Sequence, residues 1–229
     1  RTTAMKPIVQ SLARDKNLDH KVLVIYSPIG NDVCNGHPGT SHMTPPQTFH
    51  DNVFAQMKML NDMLPVGSYV LMIGMIDGRV LWNHLHNHTH PLGSKYEDVY
   101  SLLNCAECNP CHGWLNKNET LRNETTRWAQ SLNEEYQVIL KTAKTDFPNL
   151  NLQYFYAPLD EMIQNYVNEG GKASDIIEPS DGFHPSQLGN ELLGQLIWEH
   201  LETNFPEAIG EVNPFNEEIT KKFGDQGGF

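Results

Sequence analysis

No apolar run in this chain approaches the roughly 20 residues needed to cross a bilayer, and the longest, at 69–76, has the length of a strand. A membrane-spanning helix is therefore not expected. Positive charge is scarce: 16 Lys and Arg stand against 28 Asp and Glu, for a formal charge of −12. That balance argues against a nucleic-acid groove and against simple attraction to an anionic surface, so a phosphorylated ligand would have to be met by local Lys or Arg or by metal ions. Internal repeats are absent. There is no initiating methionine and no signal segment ahead of Arg1, which leads us to expect a cut end inside a longer polypeptide. At 229 residues the chain can bury one core, and length alone allows one or two domains.

What is present is chemically more pointed. The segment Asp181-Gly182-Phe183-His184-Pro185-Ser186 places a carboxylate three residues ahead of an imidazole, just before a helix. Such a pair can hold one histidine tautomer ready to take a proton from a hydroxyl, but it hydrolyses nothing without a nucleophile and an oxyanion site. An oxyanion candidate lies upstream, where the apolar run 21–26 reads as a buried strand and opens into Ser27-Pro-Ile-Gly-Asn-Asp32. Asn31 would project from the tip of that strand, and its amide N–H could face the oxygen of a tetrahedral intermediate. Asp32 is expected to be structural, bonding backbone amides of its own loop. Either motif alone is an ordinary turn. Their order along the chain, each closing a strand–helix unit, favours a shared site.

These segments resemble the SGNH (GDSL-type) hydrolases, whose later blocks are a Gly-Asn-Asp element with the oxyanion asparagine and a terminal Asp-x-x-His-Pro with two triad members. Asp181 and His184 match the last block. The earlier block differs slightly, since Gly30 and Asn31 are adjacent where the usual form has a residue between them. The first block, Gly-Asp-Ser with the nucleophile, is missing: no serine here follows a Gly-Asp pair. The oxyanion glycine of the second block should also lie upstream. Similarity to one branch of the family runs from about residue 21 to the C-terminus, through Ser27-Pro-Ile-Gly-Asn-Asp-Val-Cys-Asn35, Asn104-Cys-Ala-Glu-Cys-Asn-Pro-Cys111 and Phe223-Gly-Asp-Gln-Gly-Gly-Phe229. Members of that branch remove secondary fatty acyl chains from lipid A of bacterial lipopolysaccharide, and they join a small saposin-like subunit by a disulfide to a large catalytic one. The resemblance implies that this chain is the C-terminal part of the large subunit. The serine would then come from an upstream segment of that subunit, no cofactor would belong to this chain, and calcium would be an option only for the upstream part.

Three sequons, at Asn87, Asn118 and Asn123, gather in one polar stretch beside the cysteines and point to the secretory pathway, with a secreted or lysosomal destination. Cys105, Cys108 and Cys111 form a Cys-x-x-Cys-x-x-Cys run, with Cys34 far upstream. In a cytosolic protein this would read as a zinc or iron–sulfur site; in a glycosylated one disulfides are expected. The resemblance adds that one cysteine crosses to the small subunit, with Cys108 and Cys111 as candidates. His84, His86, His88 and His90 recur at period two and could bind Zn²⁺ or Cu²⁺ from one face of a strand, but polar neighbours and Pro91 favour a solvated loop near the substrate entrance.

The expected fold is a three-layer α/β/α sandwich of the SGNH kind with a parallel sheet, incomplete in this chain. Strands are expected at 21–26, 68–76 and 151–157. Helical stripes run through Val53, Met57, Leu60 and Leu64, through Trp128, Leu132, Tyr136, Ile139 and Ala143, and through Leu188, Leu192, Leu196, Ile197 and Leu201. Residues 80–123 lack a clear period and read as an irregular insertion in a catalytic unit spanning 1–205, with 206–229 as a tail. Ser186 is expected to cap the last long helix. The chemistry expected is ester hydrolysis through an acyl-enzyme, with His184 as base and then acid, Asp181 fixing its tautomer, Asn31 on the oxyanion, and Phe183 and Met-rich segments lining an acyl slot. A Cys/His metal-binding accessory domain and a non-catalytic lipid-binding module are the alternatives.

Overall fold

The computed structural model describes residues 1–224. After a short α1 (Lys6–Gln10), β1 (Leu23–Tyr26) runs into the one-turn α2 (Gly30–Val33) and then α3 (Pro46–Met63). There follow β2 (Ser68–Ile73), α4 (Arg79–Leu85), α5 (Tyr96–Cys105), α6 (Glu119–Asp146) and β3 (Leu150–Phe155). The chain closes with α7 (Leu159–Asn168), α8 (Gln187–Asn204) and α9 (Asn216–Phe223). The strands form one parallel sheet in the order β1-β2-β3, with Val24 beside Val70 and Val70 beside Leu152. Parallel neighbours cannot be joined by a tight turn, so each connection is a crossover carrying helices. α3 makes the first crossover, and α4, α5 and α6 together make the second.

Val53, Met57 and Leu60 of α3 and Leu132, Tyr136 and Ile139 of α6 pack with Val70 and Met72 of the central strand. On the other face Tyr69, Leu71, Phe155 and Ala157 meet Leu201 and Phe205, at the end of α8. This gives the expected three layers, and the α3 and α6 stripes are core. The α8 stripe departs from the expectation: Leu201 is buried, whereas Leu188, Leu192, Leu196 and Ile197 are half-buried. Coverage of β1 is also incomplete. It pairs with β2 alone among the described residues, and Ile25 is 46 % exposed.

The 80–123 stretch is not an irregular insertion, because it contains α4 and α5 and the start of α6. Its period is hidden for a physical reason. α4 buries Val80, Trp82 and Leu85 in two turns, and α5 buries two tyrosines, Tyr96 and Tyr100, one turn apart. α6 also begins earlier than its apolar stripe, where Asn118 caps it by accepting from Leu121 N at 3.3 Å. Among the described residues no helix is long and apolar enough to cross a membrane. In the 206–229 tail, α9 is exposed along its length, and 225–229, with Gly227 and Gly228, lie outside the described residues.

Two cross-links fix the β1–α2 corner. Asp32, fully buried, accepts from Thr2 N at 2.9 Å, from Thr2 Oγ1 at 2.9 Å and from Thr44 Oγ1 at 2.6 Å. Its role is structural, but its partners lie in other segments and not in its own loop. Cys34, which ends α2, is disulfide-bonded to Cys111 across a separation of 77 residues. Replacing Cys111 by Ala should lower unfolding free energy by about 2–5 kcal/mol, since the bridge removes a long loop from the unfolded ensemble. Denaturant unfolding of the oxidised wild type and the variant measures the difference.

Candidate active site

The loop that carries the acid–histidine pair is closed at its base by the bridge between Ile177 and Pro185 and by Glu178 N donating to His184 O at 2.8 Å. Within it, Gly182 adopts φ +62°, a left-handed turn that glycine enters without strain. That turn brings both oxygens of Asp181 into use. Oδ1 accepts from Phe183 N at 2.8 Å and His184 N at 3.0 Å, and Oδ2 lies 2.6 Å from His184 Nδ1. Since an ionised carboxylate only accepts, Nδ1 carries the proton and Nε2 keeps its lone pair for an incoming hydroxyl. Partial burial works against the Asp181 charge, but the bonds from His184 and from the Phe183 and His184 amides outweigh it and hold the carboxyl below its ordinary range. The His184 side chain is 64 % exposed, so the reactive nitrogen is accessible. Ser186 caps α8 as expected, accepting from Gly189 N at 3.1 Å and donating to Asp175 O at 2.7 Å, so a long helix anchors the loop.

His184 opens onto an apolar cavity of about 250 Å³ lined by Ile73, Val80, Trp114, Met162, Ile177 and Phe183, among others. Phe183 and the methionines Met75 and Met162 therefore line it, as expected of an acyl slot. Ser27, just beyond β1, is the hydroxyl residue in this lining, and no hydrogen bond joins it to His184. Asn31 belongs to α2 rather than to the strand tip. It is exposed, and its side-chain amide has no hydrogen-bond partner among the described residues. It lines a neighbouring groove with Ile8, Val24 and Ile25 along the open edge of β1, and Ser27 borders both spaces. The two spaces thus meet at Ser27, just beyond the C-terminal end of β1, where open α/β sheets place ligands.

The other candidates separate. Cys111 is buried and taken by Cys34, so Cys105, Cys108 and Cys111 cannot act as three thiolate ligands, and Cys111 is not available to another polypeptide. Cys105 and Cys108 are exposed and form no bridge within the described residues. The histidines do not share a strand face, because a helix and a turn replace it. His86 stacks on Trp82, His84 borders a polar cavity, His88 is exposed and His90 is buried. No group of three His, Cys, Asp or Glu among the described residues is arranged to hold a metal ion. Of the sequon residues, Asn87 and Asn118 are exposed, while Asn123 is half-buried and accepts from Arg79 Nη1 at 2.8 Å. Sequence reasoning missed three contacts on the dyad loop: Tyr96 to Pro179 O at 2.6 Å, Tyr100 to Gly182 O at 2.7 Å and His90 Nε2 to Ser180 O at 3.1 Å. The one-turn spacing of the two tyrosines was the available signal.

A parallel sheet, an acid–histidine pair on the loop before the last long helix and an apolar cavity beside it define a site of the acylhydrolase class. A family model described as GDSL-like lipase/acylhydrolase matches residues 2–197, and the chain belongs to that family. Among curated relatives, acyloxyacyl hydrolase of Homo sapiens is 42 % identical over 98 % of this chain, and those of Oryctolagus cuniculus and Mus musculus are 41 % and 40 % identical over the same share. The chain spans 40 % of the length of each of these relatives.

The lowered Asp181 carboxyl has a consequence for acid stability. A group whose native pKa is depressed stabilises the fold fully above its ordinary value of 3.8 and loses that contribution as pH falls through the native value. Asp181→Asn should therefore be less stable than the wild type at neutral pH and converge with it in acid below that range. Thermal unfolding of both proteins across pH 2–7 provides the check.

Proposed function

We propose that this chain is the C-terminal part of a lipid esterase that removes secondary, acyloxyacyl-linked fatty acids from lipid A of bacterial lipopolysaccharide. The observation that carries the reading is the 2.6 Å contact between Asp181 and His184 at the mouth of an apolar cavity. The names of the relatives support the acyl ester as the bond broken. The cavity favours a fatty chain by about 0.8 kcal/mol for each methylene it buries.

A serine from outside this chain attacks the ester carbonyl while its hydroxyl proton passes to His184 Nε2. The oxygen of the tetrahedral intermediate takes its negative charge toward the Asn31 amide, and backbone amides of the preceding segment complete the oxyanion site. On collapse, the C–O bond to the leaving hydroxyl breaks and His184 returns the proton to it, leaving an acyl-serine. Water attacks with the same base and frees the fatty acid. Asp181 keeps Nδ1 protonated and steadies the imidazolium. The open edge of β1, with Ile25 exposed and Asn31 lining the groove beside it, suits a further strand that carries the serine. A small saposin-like subunit would join through Cys108 or Cys105, the two exposed cysteines, since Cys111 is occupied. The enzyme would work in a secreted or lysosomal setting, where disulfides persist.

Fatty acid release from lipopolysaccharide tests this reading. The 229-residue chain alone should release none, and the assembly with its preceding segment should be active. In that assembly His184→Ala and loss of the upstream serine should each abolish nearly all turnover, with little further loss when combined. Activity of the isolated chain that disappears in Ser27→Ala would instead place the nucleophile here, and lipid binding without release by the assembly would mark a non-catalytic module. Separately, Asn31→Ala should lower turnover by about 10²–10³ with a smaller effect on binding, and unchanged turnover would remove Asn31 from the oxyanion site.

A further inference from the structure

The apex of the dyad loop is held from outside the loop as well as within it, and the outside contacts come from one polypeptide segment. From that segment Tyr96 donates to Pro179 O, Tyr100 to Gly182 O and His90 to Ser180 O, so three of the four carbonyls from 179 to 182 are satisfied by its side chains. The donors are themselves fixed. Tyr100 is fully buried and Tyr96 and His90 nearly so. Leu92 N donates to His90 Nδ1 at 3.1 Å, which leaves Nε2 as the protonated nitrogen facing Ser180 O. Burial first, and then the nearby Tyr96 and Asp181, push the Tyr100 hydroxyl well above its ordinary value, so it remains a donor at every working pH.

We propose that Tyr100, supported by Tyr96 and His90, is a positioning residue that sets the Asp181–His184 contact by clamping the carbonyl of Gly182. This inference rests on the esterase reading above and assigns the α4–α5 segment a part in it. Gly182 lies between the two reacting side chains, and its φ of +62° is a conformation that a free glycine leaves readily. A Cβ at this position would come within 2.3 Å of the Tyr100 hydroxyl, so the tyrosine excludes any larger residue as well as bonding the one present. Tyr100, Tyr96 and His90 line no part of the apolar cavity, and their effect on substrate must pass through the loop. The same segment supplies Val80 and Leu81 to the cavity wall, and the connection that follows it adds Trp114, so the slot and the base share one support.

The test uses the full-length protein with lipopolysaccharide as substrate. Tyr100→Phe keeps the ring and removes the single O–H, which leaves the fold intact and frees the loop. We expect kcat to fall by about 10–100-fold with KM unchanged, because misplacing a catalytic group by about 1 Å costs up to 10²-fold. The low-field proton resonance of His184 Nδ1–H, facing Asp181, should broaden or shift in the same variant. His90→Gln, which keeps a donor toward Ser180 O, should lose less kcat than His90→Leu. A Tyr100→Phe protein with wild-type kcat and an unchanged resonance overturns the clamp while leaving the esterase intact. Full activity of His184→Ala, run alongside, would overturn the esterase reading itself.

Discussion

Parallel pairing on both edges of β2 is the constraint from which the site follows. A strand paired in parallel on each side and covered on both faces has to be entered and left through long crossovers. The second crossover runs from Ile73 to Leu150, and it passes over the C-terminal end of the sheet before α6 returns. Once there, its side chains are placed to reach the loop ahead of α8, which lies over the opposite face. The acid–histidine loop and the helices that brace it are far apart in sequence and adjacent in space for this topological reason.

Electrostatics within the site are local despite the strong net negative charge. Asp181 accepts three hydrogen bonds, from His184 Nδ1 and from two amides of its own turn, so its charge is committed within a few residues. Asp32 shows the opposite solution one strand away, where a carboxylate of the oxyanion-candidate turn bonds segments from both flanks and braces the backbone beneath Asn31. One carboxylate orients a base, and the other immobilises a corner.

The sheet and the three longest helices could be read from the sequence because each is written as a local pattern. The apolar run of β2 and the stripe Val53, Met57, Leu60 need no knowledge of distant residues. The dyad was legible for the same reason, since Asp181 and His184 fit within a single turn. α4 escaped because two turns are too short to show a period, and α5 because its two buried tyrosines reach carbonyls more than 80 residues away. The pairing of Cys34 with Cys111, in preference to two nearer cysteines, carries no local signature either. On α8 a regular leucine stripe overstated burial, since Leu188, Leu192, Leu196 and Ile197 are only half-buried. The nucleophile is not legible in this chain, where no serine follows a Gly-Asp pair.

The Cys34–Cys111 bridge also has a history within synthesis. As the chain emerges from its N-terminal side, Cys34 precedes its partner by 77 residues, an interval of about 4–15 s at ordinary translation rates. Cys105 and Cys108 appear before Cys111, and both remain exposed in the folded protein. Within this chain, the thiols that follow Cys34 before its partner are therefore ones it does not keep in the folded protein. Attack by a later thiolate on such an early bridge is the exchange that corrects it. Trp114 and Leu115, a few residues after Cys111, are fully buried, and their packing favours the native bridge. A catalyst of thiol–disulfide exchange is therefore expected to speed formation of this corner without changing its final stability.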